Sequence, residues 1–148
     1  MGRNASCNGG LIKSMRKNLL VFIIVAVSMT LYDAAASVSS LLLRLDYSWF
    51  GLGSALLYFL AGFIACRRGG FLVGVLAGMV AGLSESIIGW TISIWIGPHS
   101  SVSIAASDLA VALIAAIVVI GTTVGTVIGV IGSAAARLFE RLFPQQFL

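Results

Sequence analysis

Four long apolar runs, separated by short polar breaks, organise the chain of 148 residues. They occupy residues 19–37, 50–66, 71–97 and 109–136, and the only charged side chains inside them are Asp33 and Glu85. A bilayer core of about 30 Å needs about 20 mostly apolar residues in a helix. In lipid every backbone N–H and C=O must be paired internally, which selects helices over open strands. The second run is short, and the third is long enough to tilt or to extend past the hydrocarbon. The expected fold is therefore all-α: one integral membrane domain, a bundle of four transmembrane helices, with tails at 1–18 and 137–148. Between the first two runs, Val38 to Trp49 reads as a connection lying in the interface, its leucines beside Arg44, Asp46, Tyr47 and Trp49. Arg67 and Arg68 stop the second run and the third starts almost at once, which predicts a tight antiparallel hairpin. Pro98 fits a helix stop, and Ser107 or Asp108 an N-cap for the fourth span.

Within the runs, glycine follows a rule. Gly70, Gly74, Gly78 and Gly82 stand four residues apart and Ser86 continues the row; Gly121, Gly125 and Gly129, then Ser133, repeat it in the fourth span. Residues i and i+4 share a helix face. Small residues on one face let membrane helices approach to backbone contact. The pattern predicts glycine-zipper packing, mainly between the third and fourth spans. Ala61, Gly62 and Ala65 bring small residues of the second span to the same depth, whereas Tyr32, Trp90 and Trp95 fall in the opposite half. A bundle closed at one end and wider at the other is expected.

Composition agrees with lipid as the solvent: 59% of residues are hydrophobic and 9% charged, where soluble domains carry about a quarter charged. Net charge is +4, but the basic residues stand at the ends of apolar runs and no nucleic-acid motif accompanies them. With four spans, Arg3, Lys13, Arg16, Lys17, Arg67, Arg68, Arg137 and Arg141 share one side and Arg44 stands alone on the other. The positive-inside rule then puts both termini in the cytoplasm, and the cell membrane, as a bacterial inner membrane, is the expected location. The early part of the first span also has the make-up of a signal peptide, with Ala34 to Ala36 offering small residues for cleavage; retention as a span is the expectation. MGRNAS matches a myristoylation pattern and Asn4-Ala5-Ser6 a glycosylation sequon, both discounted as short chance matches. Cys7 and Cys66 make no disulfide framework, and His99 has no second ligand near it. No metal and no cofactor are expected. No nucleophile–base pair or phosphate-cradling loop is present, so no enzyme is expected either.

Asp33 and Glu85 carry the candidate chemistry. Each lies fourteen residues into its span, about 21 Å at 1.5 Å per residue, on the same level. Glu85 falls within the arc of the glycine row, and Asp33 shares a face with Ala26, Thr30 and Ser37. An intramembrane carboxyl is costly unless it is protonated, paired or at a water-filled cavity. Arg44 offers one partner if it snorkels inward; Thr30, Ser84 and Ser86 offer hydroxyls for helix-to-helix contacts.

The stretch GFIACRRGGFLVGVLAGMVAGL resembles a glycine-rich hairpin of uncharacterised small bacterial four-span membrane proteins. The hairpin that contains it covers about a third of the chain, and the resemblance implies a membrane bundle with no stated activity. In size the chain is also similar to small multidrug exporters of four spans, which place their glutamate in the first span; here the first span has Asp33 and the glutamate is in the third. The expected function is a non-catalytic helical subunit or self-assembling bundle, in contact with the lipid bilayer and forming a homo-oligomer or joining other membrane subunits. The alternative is a small proton- or cation-coupled transporter or channel using Glu85 and Asp33.

Overall fold

A computed structural model describes residues 6–44, 49–96 and 108–143, with side chains placed for 18–44, 49–92, 95 and 111–143. The expectations for residues 1–5, Asp46, Tyr47, the loop with Pro98, His99 and Ser107, and the Cys7 thiol lie outside the described residues or side chains. Helix α1 spans Ser6–Leu43, α2 Phe50–Gly69, α3 Phe71–Ser84, and α5 Asp108–Leu142; α3 runs through a π-helical segment, Glu85–Gly89, into α4, Trp90–Ile96. Four stretches, Asn18–Leu43, Phe50–Gly69, Phe71–Ile92 and Val111–Leu142, are each long and apolar enough to cross a membrane.

Two helices outrun the apolar pattern. In α1 the helix continues six residues beyond Ser37, through the segment that the pattern assigns to an interfacial connection. Ser40, inside the stretch assigned to that connection, is buried in the bundle, so the face of α1 that carries Asp33 and Ser37 continues beyond the first apolar run. Arg44 ends the helix at φ 52°, the left-handed conformation common just past a helix C-terminus. In α5 the helix passes Ala136 and reaches Leu142. There Phe139 packs edge-on to Phe63 of α2 at 6.3 Å and against Phe143 at 4.8 Å, so the extra turns are held by rings rather than by the apolar run.

The α2–α3 hairpin turns on Gly70 alone. Its φ of 90° and ψ of 174° belong to a region that is essentially glycine's. Its N–H caps α2 on the Cys66 carbonyl at 2.8 Å, and Arg67 and Arg68 in the last turn complement the helix dipole. Gly70 therefore serves the turn and not the packing row: a Cβ there would meet nothing within 4 Å.

Helices α2, α3 and α5 form the tight part of the bundle, while α1 lies chiefly over α3 and makes lighter contact with the π segment, α4 and α2. A Cβ on Gly78 would stand 2.5 Å from the Gly125 carbonyl, and one on Gly125 2.6 Å from that of Gly78. Gly74 and Gly129, and Gly82 and Gly121, continue this facing, and Gly62 brings α2 against Gly129. Close approach at small residues of this kind gives backbone-level van der Waals contact between helices. The close approach covers only part of α5. Its buried residues are Gly125, Gly129, Gly132, Ser133 and Ala136, whereas residues 111–116 are all exposed. A cavity of about 280 Å³ opens there, lined by Trp90, Trp95, Ile114 and Val118 among others. The bundle is closed near the end that carries Arg67, Arg68, Arg137 and Arg141, and splayed at the other.

A buried acidic centre between three helices

Three side-chain directions meet in the π segment. Glu85 points to α2 and accepts a hydrogen bond from Ser54 Oγ at 2.7 Å. Ser86 points to α5 and seats on Gly121. Gly89 points to α1, where the Asp33 carboxyl lies against it so closely that no Cβ would fit. A π turn carries one residue more than an α turn and re-phases the helix; such turns recur at functional sites. Here the wider turn lets one short stretch face three neighbours.

Asp33 is 1% exposed, and neither carboxyl oxygen has a hydrogen-bond partner among the described residues. It stands on the buried face of α1 with Met29, Ala36, Ser37 and Ser40. Thr30, assigned to that face by the pattern, is only half-buried. Asp33 meets the π segment at Gly89, one turn beyond Glu85, and not at the level of Glu85 itself.

The partners differ from those expected. Thr30 donates to the Ala26 carbonyl at 2.9 Å, Ser84 to Val80 at 2.8 Å and Ser86 to Gly82 at 2.8 Å. All three hydroxyls bond back four residues along their own helices, the usual outlet for Ser and Thr inside apolar helices. Arg44 does not reach Asp33: it stands eleven residues further along α1, about 16 Å away along the axis. Ser54, which does meet an acid, was not singled out. Its only signal was a small hydroxyl within the apolar second span. Tyr32 closes this region, donating to the Phe50 carbonyl at 2.7 Å and covering Gly53.

No group of three or more His, Cys, Asp or Glu side chains that suits a metal ion occurs among the described residues. Cys66 is buried and unpaired, and its thiol donates to the Ser133 carbonyl at 3.4 Å. The remaining chemistry is that of two carboxyls and a hydroxyl in an apolar surround.

No protein-family model, curated protein or solved structure matches the chain. Four helices of membrane-crossing length and composition around a buried acidic centre define its class, that of multi-pass helical membrane proteins.

Proposed function

We propose that the protein is a small membrane bundle, with both termini in the cytoplasm, that binds and releases a proton or monovalent cation at Asp33 and Glu85 and couples this to transport. The observation that carries the reading is the Asp33 carboxyl, buried with neither oxygen partnered among the described residues. An unpaired carboxylate in a bilayer is costly, so the group needs a proton or a cation beside it. Ser54 orients Glu85 from the other side. The splayed end, where α4 and α5 separate, gives a route by which the centre opens without parting the glycine contacts.

A second reading is the non-catalytic subunit or self-assembling bundle, held by glycine-zipper packing. The exposure of residues 111–116 favours it, since a further helix would cover that face of α5.

Thermal unfolding in lipid nanodiscs tests the first reading. A ligand that binds only the folded state raises stability with its concentration. Wild-type protein is expected to melt at temperatures that depend on pH and on sodium or potassium concentration, and Asp33→Asn with Glu85→Gln to lose that dependence while remaining folded. Equal dependence in both proteins would rule the acids out as the binding site.

A further inference from the structure

A second feature is independent of the acids. Where α1 and α2 diverge, a groove of about 360 Å³ runs between them. Val21, Ile24 and Ser28 line one wall; Leu57, Leu60 and Ile64 line the other, and Arg68 closes one end. Ile24, Ser28, Leu60 and Ile64 are exposed, so the groove opens onto the surrounding lipid.

Its dimensions and charge select an occupant. From Leu57 to Arg68 is eleven residues, about 16 Å along a helix. One leaflet of a bilayer core measures about 15 Å, half of the whole. The apolar walls thus extend over one leaflet and stop at a guanidinium, which makes no ion pair among the described residues. Arg67, its neighbour, is turned away over the Phe63 ring. We propose that this groove binds an anionic phospholipid, with an acyl chain between α1 and α2 and its phosphate at Arg68. Basic sites between spans are a recognised way of holding such headgroups.

A second copy of the chain is a poorer occupant. Copies in one membrane insert in the same direction, and a two-fold contact apposes identical surfaces. Arg68 would face Arg68, like charge to like.

The test uses the full chain in vesicles of equal parts phosphatidylglycerol and phosphatidylcholine. After extraction in mild detergent, the retained lipids are identified by native mass spectrometry. Phosphatidylglycerol is expected to be enriched about fivefold, the contribution of one basic residue near the membrane surface. Arg68→Gln should bring the two lipids to near parity, and Ser28→Phe, which fills the groove from an exposed position, should lower retention of both. Equal retention of the two lipids by the wild type would overturn the proposal. So would enrichment unchanged by Arg68→Gln, or a lipid-free dimer that Ser28→Phe dissociates.

Discussion

Ser54 and Glu85 join residues of α2 and the π segment through one hydrogen bond. A bond of this kind contributes on the order of 1 kcal/mol in a membrane protein. Ser54→Ala is expected to destabilise the bundle by about that amount. Combined with Glu85→Ala, which removes the acceptor, the two losses should be less than additive, with a coupling of about 1 kcal/mol in a double-mutant cycle of unfolding in lipid. Strict additivity would mean that the pair does not act together. The contact joins positions 31 residues apart, and helical periodicity reports only on neighbours along one helix, so Ser54 was invisible in the sequence while Glu85 was not. The acids could be found because a charge inside an apolar run needs no partner to be noticed. The hydroxyls nearest to them in the pattern, Thr30, Ser84 and Ser86, bond instead to carbonyls of their own helices.

At the scale of elements, the α3–α5 contact depends on the absence of side chains. Gly78→Leu must part the two backbones, and overpacking of this kind costs about 1–3 kcal/mol or more. Gly51→Leu is the matched control, since a Cβ there meets nothing within 4 Å. Melting in lipid should fall clearly for the first and hardly at all for the second. Gly70→Ala has open space yet a φ of 90°; it should cost of order 1–3 kcal/mol through the backbone alone. If the two substitutions at Gly78 and Gly51 lower melting equally, close packing of α3 on α5 is not what holds the bundle. The four-residue glycine spacing made this contact readable from the sequence, apart from Gly70, whose place in the row conceals its use in the turn. The π segment left no mark: its residues, ESIIG, fit an α-helix equally well by pattern. The extension of α1 to Leu43 was hidden because the leucines beside Arg44 fit an interfacial segment, while Ser40, a polar residue, faces inward.

For the whole molecule, charge and packing point the same way. Arg67, Arg68, Arg137 and Arg141 gather at the end where the glycines close, and Arg137 lies over the Phe71 ring at 4.8 Å. With that end in the cytoplasm, a membrane-impermeant thiol reagent applied to intact cells should label Trp49→Cys and spare Arg141→Cys, each in a background lacking Cys7 and Cys66. The reverse pattern would invert the topology and would place the splayed end on the cytoplasmic side. The most direct measurement of the central claim is ion movement by the purified protein in sealed liposomes, under an imposed pH or cation gradient. The account predicts a flux above that of empty vesicles, abolished by Asp33→Asn with Glu85→Gln in a bundle that still melts cooperatively. A double variant that conducts as the wild type does, or a wild type no more active than empty vesicles, would contradict it.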